Sequence, residues 1–274
     1  MKRIINIILS FFIIIFIISC KKTSDKIDIV VSIKPIELII REMIKDEKIY
    51  TVVKDSPHHY SPSLSDYNAI KNCKYYLYLG IPTLESEIML EHFIKDIKDY
   101  RFYNFYKDLK IININGKDPN PHAWLSFDNS IIIAEKINNI LKDYTNSESL
   151  NIFKNKVLSL KEEYKKIANK LNNYNIVQIH PAWDYIFNEI GINILTLSTG
   201  EVHNISIKEI NDLINKLDNR KKTVIIISGE FKGELPSTIK NISNNIIELD
   251  PLGYKFNSYI ELMEYNLKQL RDIK

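Results

Sequence analysis

Short apolar runs alternate with segments of helical periodicity along the whole chain from residue 27 onward. Such runs occur, for example, at 27–33, 48–54, 75–79, 175–179, 192–197 and 223–227. Parallel strands need a crossover of helix length, so strands that alternate with amphipathic helices indicate a parallel α/β fold. We count about four strands in each half of the chain, which predicts two parallel sheets.

Two helical segments carry strong local signals. Ser63-Leu64-Ser65-Asp66 has the spacing of a capping box and predicts a helix that begins there. Residues 147–172 contain neither Gly nor Pro, and as one helix they would extend about 40 Å. A helix of that length suits a rigid connection between two lobes. We therefore predict an N-terminal α/β lobe at 27–146, a linking helix at 147–172 and a C-terminal α/β lobe at 173–274.

The first 26 residues carry a targeting signal. Two basic residues precede an almost wholly apolar segment at 4–18, which is short for a membrane span and typical of a signal peptide. The segment ends in Ile17-Ile18-Ser19-Cys20, which resembles a bacterial lipobox. That resemblance implies a signal peptide at 1–19, a lipid on Cys20 and a lipidated tether at 20–26. A signal-anchor helix with an incidental cysteine is the alternative.

Charge and cysteine content narrow the class of protein. The chain has two cysteines, Cys20 and Cys73, so acylation of Cys20 would leave no internal disulfide. Loss of Lys2 and Arg3 with the signal peptide lowers the formal net charge from +3 by two, to +1. Near-neutrality without a basic stripe argues against a nucleic-acid partner. We expect an extracytoplasmic, membrane-anchored monomer.

Side chains that can bind a metal follow four of the predicted strands. They are His58 after the strand at 48–54, His122 after 110–114, His180 after 175–179 and Asp250 after 245–249. Ligands of open α/β sheets bind beyond the carboxyl ends of the strands. Each of the four residues also adjoins a proline, which stiffens its loop. Three imidazoles and one carboxylate, two from each lobe, predict a metal site between the lobes.

Each of these residues also has an ordinary structural explanation. A single histidine is more often a surface or core residue than a ligand. Asp250-Pro251-Leu252-Gly253 is equally well explained as a turn that ends a strand. We expect four aromatic residues to pack beside or beneath the site, although core packing explains them equally well: Tyr60, Trp124, Trp183 and Tyr185.

The four motifs together resemble those of the cluster A-I solute-binding proteins, the zinc- and manganese-binding receptors of bacterial metal ABC importers. In chain order they are Ser56-Pro57-His58-His59-Tyr60, Asn120-Pro121-His122-Ala123-Trp124-Leu125-Ser126, His180-Pro181-Ala182-Trp183-Asp184-Tyr185 and Leu249-Asp250-Pro251-Leu252-Gly253. Their order and spacing match across the mature chain. The resemblance implies a TroA-like fold of two Rossmann-like lobes joined by a long rigid helix. It also implies a metal receptor rather than an enzyme, with an ABC permease as partner.

Two positions depart from the family's usual pattern. The second motif usually has Asp before its proline, where this chain has Asn120, and the third histidine is usually followed by Asp, where this chain has Pro181. Both changes remove a carboxylate next to a ligand, so this chain has fewer carboxylates that could orient the imidazoles than its relatives. The His-rich loop of many zinc receptors is also absent, since 100–121 contains no histidine.

Three imidazoles and one carboxylate suit Zn²⁺ as the transported ligand. The resemblance agrees, because manganese receptors tend to carry Glu in place of His180. Mn²⁺ or Fe²⁺ is the alternative, since Asp250 could bind through both oxygens. A metal-braced surface adhesin and a zinc-dependent hydrolase are two further alternatives, and Glu230 is the one base that we place near the cleft. Glu230, His59 and His203 are auxiliary candidates at the site.

Overall fold

A computed structural model describes residues 27–45, 47–57, 60–97, 101–114, 116–197, 205–228, 237–243 and 245–273. The predicted signal peptide and tether therefore lie outside the described residues. Five predicted functional residues also lie outside them: Cys20, His58, His59, His203 and Glu230.

The N-terminal half contains a parallel sheet of four strands. They are β1 (Ile29–Ile33), β2 (Ile49–Val53), β3 (Tyr75–Tyr78) and β4 (Phe102–Asn104), in the spatial order β2-β1-β3-β4. The connecting helices are α1 (Lys34–Arg41), α2 (Leu64–Asn72) and α3 (Glu85–Phe93). β1 is buried at every position, as expected of a central strand covered on both faces.

The fourth strand of this sheet corrects our prediction. We expected it at 110–114, but β4 takes that place, and β5 (Asn113–Ile114) instead pairs antiparallel with β6 (Asp118–Pro119) in a separate hairpin. The Asn129 side chain holds both backbone groups of Lys110, accepting from its N–H at 2.8 Å and donating to its carbonyl at 3.0 Å. The segment is therefore anchored to a helix and not to the sheet.

The predicted long helix is present as α5 (Ser147–Leu171), after α4 (Phe127–Ile140). The Asn146 side chain caps it by accepting from Ser149 N at 2.8 Å. Its buried stripe, which repeats every three or four residues, is Phe153, Val157, Leu160, Tyr164, Ile167 and Leu171. α5 packs on α4 and on the last helix of the chain, α9 (Tyr259–Arg271), where Tyr164 Oη donates to Met263 O at 2.6 Å. It thus joins the two halves, and the lobe boundaries on either side of it stay a prediction.

The C-terminal half contains a second parallel sheet of four strands. They are β7 (Tyr174–Gln178), β8 (Ile194–Thr196), β9 (Lys222–Ser228) and β10 (Ile246–Leu249), in the spatial order β10-β9-β7-β8. The connecting helices are α6 (Asp184–Glu189), α7 (Ile207–Ile214) and α8 (Ser237–Lys240). Two four-stranded parallel sheets confirm the predicted α/β class.

One hydrophobic cluster runs through both halves. It includes Ile29 and Leu77 from the first sheet, Ile176 and Leu249 from the second, and Trp124 from the 3₁₀ helix Ala123–Leu125. A smaller cluster covers the C-terminal sheet around Ile225. The halves therefore share a core. In the described ranges, no helix has both the length and the apolar character that a membrane crossing requires.

Candidate metal centre

His122 and His180 come from different halves of the chain and face each other. Their Nε2 atoms are 3.3 Å apart, and their ring planes are inclined by 80°. Two nitrogen ligands of one tetrahedral zinc ion, each at about 2.0–2.1 Å from it, lie about 3.3–3.4 Å from one another. The pair therefore has the separation of two ligands on a single ion.

The loop that carries His122 is rigid and buried. It follows the β5–β6 hairpin and leads into a 3₁₀ helix, Ala123–Leu125. The His122 side chain is buried against the Trp124 ring, with 5.3 Å between the ring centroids. Trp124 Nε1 donates to Pro251 O at 2.7 Å, and Tyr259 Oη donates to Trp124 O at 2.9 Å. Trp124 thus contacts the His122 ring and ties the His122 loop to the Asp250 loop.

The Asn120 amide determines which nitrogen of His122 carries the proton. Its Nδ2 donates to Pro181 O at 2.7 Å and to Asp184 Oδ2 at 3.0 Å, and both partners are acceptors. The amide must therefore present Oδ1 to His122, where it accepts from the backbone N–H at 3.0 Å and meets Nδ1 at 2.9 Å. Because Oδ1 cannot donate, the proton lies on Nδ1, and Nε2 presents a lone pair toward His180.

His180 lies two residues beyond β7, as predicted. A tight turn follows it, in which Ala182 N donates to His180 O at 2.8 Å. The preceding Gln178, buried at the end of β7, accepts from Trp183 N at 2.9 Å and donates to Thr196 Oγ1 at 2.8 Å. These bonds hold the turn from both sides, which favours a fixed imidazole position.

Asp184 contacts Asn120, and the sequence motifs did not single it out as a candidate site residue. Its carboxylate accepts from Gln178 Nε2 and from Asn120 Nδ2. Burial raises the pKa of the Asp184 carboxyl, and these two hydrogen bonds lower it in part. Asn120 therefore stands where the family pattern has a carboxylate, and its Oδ1 contacts the His122 ring while its Nδ2 donates to Asp184. The effect of Asn120 and Pro181 on imidazole orientation stays a prediction. The sequence signal that could have identified Asp184 is its position within the third motif.

Asp250 directly follows β10, and its Oδ1 accepts from Leu252 N at 2.9 Å and from Gly253 N at 2.8 Å. The side chain of Asn266 also bonds both backbone groups of Asp250 at 2.8 Å. Oδ1 of Asp250 therefore stabilises a turn after the strand, which was one of the two interpretations of this motif. Within the described residues no hydrogen bond is made to Oδ2, which is the oxygen that can bind a metal.

The loop that carries His58 is anchored at both ends. Before it, Tyr254 Oη donates to Val53 O at 3.1 Å and also to Asp55 O. After it, Tyr60 Oη donates to Asp66 Oδ2 at 2.8 Å, and Asp66 forms the predicted capping box with Ser63. Burial raises the pKa of the Asp66 carboxyl, but hydrogen bonds from Ser63, Tyr50 and Tyr60 outweigh it and the net pKa is lowered.

The structure thus brings together two of the four predicted ligands. In the part of the chain that it describes, no three His, Cys, Asp or Glu side chains lie close enough to hold a metal ion. Asp250 is on the neighbouring loop, connected to the His122 loop through Pro251 and Trp124. β9, which precedes Glu230, lies between β7 and β10.

Comparison with known proteins gives consistent matches over nearly the whole chain. The model of the family described as "ZnuA: Zinc-uptake complex component A periplasmic" matches residues 29–273. A Thermotoga maritima protein whose name describes it as metal-binding is 24% identical in an alignment 269 positions long, and the alignment covers 89% of this chain and 91% of that protein. The manganese ABC transporter substrate-binding lipoprotein PsaA of Streptococcus pneumoniae is 23% identical in a gapped alignment 309 positions long, and the alignment covers 99% of each chain.

Solved structures share the fold. A crystal structure of ZnuA superposes with a TM-score of 0.72 at 18% identity and covers 90% of this chain and 99% of its own. The solute-binding protein FpvC of Pseudomonas aeruginosa, in complex with Mn²⁺, gives a TM-score of 0.72 at 20% identity, with 90% and 98% covered.

Proposed function

This chain belongs to the family of zinc-uptake complex component A proteins, and from that premise we propose that it captures Zn²⁺ and delivers the ion to a membrane permease. Members of the family are metal-binding components of ABC transporters and not enzymes, which sets aside the hydrolase alternative. The family assignment does not specify which ion is bound, which residues hold it or how it is delivered, and the proposal concerns these three points.

The facing imidazoles are the observation that carries the proposal. His122 Nε2 and His180 Nε2 are 3.3 Å apart, and the hydrogen bonds of Asn120 leave the His122 Nε2 lone pair pointing toward the partner ring. Without an ion, a proton on His180 Nε2 would make this contact a hydrogen bond to His122. When His180 carries its proton on Nδ1, both Nε2 atoms present lone pairs at a separation that one cation can bridge, and this geometry supports a bound metal.

His58 and Asp250 complete the proposed ligand set. Tyr254 joins the strand that leads to His58 to the loop that follows Asp250, which supports an approach of the two loops. Three imidazoles and one carboxylate oxygen would give the four-coordinate N₃O set that Zn²⁺ accepts readily. Mn²⁺ prefers more oxygen ligands, and for this reason we favour zinc, although the name of PsaA specifies manganese.

The proposed site lies between two halves that share a core, and this position suggests how the ion is delivered. Each half would supply two ligands, so a permease that separates the ligand loops slightly would release the ion. The lipid on Cys20 would keep the protein at the outer face of the membrane, as the word lipoprotein in the name of PsaA also suggests. We expect a monomer and no nucleic-acid partner.

The test is metal analysis of the full-length protein and of two histidine variants. We expect one equivalent of zinc per chain in the wild type. In His180→Ala we expect its loss, with affinity reduced at least about 100-fold in a chelator competition assay, because a ligand is removed. The matched control is His92→Ala, since His92 is exposed on α3 and its Nδ1 contacts only the Ile88 carbonyl at 2.8 Å among described residues.

Two results would overturn parts of the proposal. If His180→Ala binds zinc as tightly as His92→Ala does, the imidazole pair is not the metal site. If the wild type retains one equivalent of manganese or iron and no zinc under a mixed supply, the ion is wrong while the receptor function stands.

A further inference from the structure

We propose that Asp184 is a positioning residue for His122 and that it acts across the two halves of the chain through the side-chain amide of Asn120. This inference rests on the proposed function, because it concerns the same metal site. The family pattern that this chain resembles has a carboxylate at the position of Asn120. In this chain the carboxylate belongs to Asp184 in the C-terminal half, and it connects to His122 through the Asn120 amide.

The contacts of Asn120 carry the argument. Its side chain is fully buried and makes four hydrogen bonds, two to His122 through Oδ1 and one each to Pro181 O and Asp184 Oδ2 through Nδ2. Every donor therefore meets an acceptor, and turning the amide over would place donors against donors and acceptors against acceptors. The orientation of the amide is determined by the two acceptors that belong to the C-terminal half.

Asp184 is itself held in place. Gln178 Nε2 donates to its other oxygen, and Gln178 Oε1 accepts from Trp183 N at 2.9 Å, so the carboxylate has a donor on each side. A relay therefore runs from the end of β7 through Gln178, Asp184 and Asn120 to the His122 ring. The same Asn120 amide bonds the residue after His180, so one side chain positions both imidazoles.

This relay predicts an effect opposite to that expected from the family pattern. Asn120→Asp restores the usual residue, and the pattern alone predicts an unchanged or improved site. In this chain the substitution removes both Nδ2 donors and places a second carboxylate against Asp184 and the Pro181 carbonyl. Like charges that face each other in a buried site repel, so the two loops should separate. We expect zinc affinity to fall about 10- to 100-fold, the range typical of lost orienting partners.

The second substitution tests the relay directly. In the double variant Asn120→Asp with Asp184→Asn, an amide donor again meets a carboxylate acceptor, with the two groups exchanged. We therefore expect the double variant to recover most of the affinity that Asn120→Asp loses, and Asp184→Asn alone to weaken binding. A substitution that is harmful alone and beneficial in combination indicates direct contact between the two positions.

The experiment measures zinc affinity by chelator competition at one fixed pH for all variants, together with the His122 tautomer in metal-free protein. Long-range proton–nitrogen-15 spectra should show a proton on Nδ1 and none on Nε2 in the wild type. The matched control is Asn175→Asp at the opposite end of β7, where the amide also donates to a backbone carbonyl, Asp218 O at 3.0 Å. It should lower stability without changing affinity or tautomer.

Three results would overturn the relay. They are unchanged or tighter zinc binding in Asn120→Asp, no recovery in the double variant, or a wild-type His122 that carries its proton on Nε2. Failure of the proposed function would look different, since zinc would then be absent from the wild type while the tautomer could still be measured. An equal loss of affinity in Asn175→Asp would mean that only general destabilisation is being measured.

Discussion

Replacement of Glu87 by Gln should change how the stability of this protein depends on pH. Glu87 lies on α3 and is 1% exposed. Its carboxyl accepts hydrogen bonds from Leu79 N at 2.9 Å, from Gly80 N at 2.6 Å and from the Ser32 hydroxyl. Burial raises the pKa of the Glu87 carboxyl from 4.5 to about 7, and the three hydrogen bonds limit the rise.

The magnitude follows from the difference between these two values. The folded state binds the proton more tightly than the unfolded state does, so protonated Glu87 stabilises the fold. That contribution is complete below pH 4.5 and is lost as the pH rises through about 7. At 1.36 kcal/mol for each pKa unit, the free energy of unfolding should fall by at most about 3 kcal/mol over this interval. Gln cannot ionise, so the variant should lack this slope.

Urea unfolding at about pH 5, 6, 7 and 8 measures how the free energy of unfolding depends on pH. A chelator is present to remove the contribution of bound metal. The wild type should lose stability relative to Glu87→Gln as the pH rises. Glu162→Gln is the control, because Glu162 is exposed on α5 and pairs only with Lys165 among described residues. Parallel curves for the wild type and Glu87→Gln would refute the reasoning, since Glu87 would then ionise alike in both states.

Two further substitutions test the elements that support the site. Gly253 and Gly191 have similar positive φ angles, +76° and +74°, so alanine at either position should cost about 1–2 kcal/mol of backbone strain in denaturant titrations. An added Cβ at Gly253 would also lie 2.6 Å from Leu38 Cδ1, whereas nothing lies within 4 Å at Gly191, so Gly253→Ala should lose more stability. An equal loss in the two variants would contradict this packing argument. Lys161 pairs with Asp128 at 2.7 Å and with Glu189 at 3.0 Å, so Lys161→Met should cost about 1–2 kcal/mol. Lys165→Met, which removes one exposed pair, should cost less than about 1 kcal/mol, and the reverse order would contradict the bridging role of Lys161.

Most of the fold could be predicted because its signals are local. Apolar runs placed three strands of the first sheet and all four of the second, and α5 follows from an uninterrupted helical segment. The capping box at Ser63 and Asp66 is a contact between residues three apart. The fourth strand of the first sheet could not be located in this way, because β4 and the segment near Lys110 both have apolar character. The choice between them depends on Asn129, which lies on a later helix.

The candidate site likewise has features that the sequence predicts and features that only the tertiary structure determines. Sequence alone determined that His180 and Asp250 follow strands, because a reactive residue after an apolar run is visible within a few positions. Only the tertiary structure decided that His122 meets His180 at 3.3 Å, and that the acid behind His122 is Asp184, 64 residues from Asn120. Such contacts depend on how two sheets pack through a shared core, and a linear pattern carries no measure of that. The departure at Asn120 therefore suggested a site with fewer carboxylates, whereas the fold provides a carboxylate from the other half of the chain.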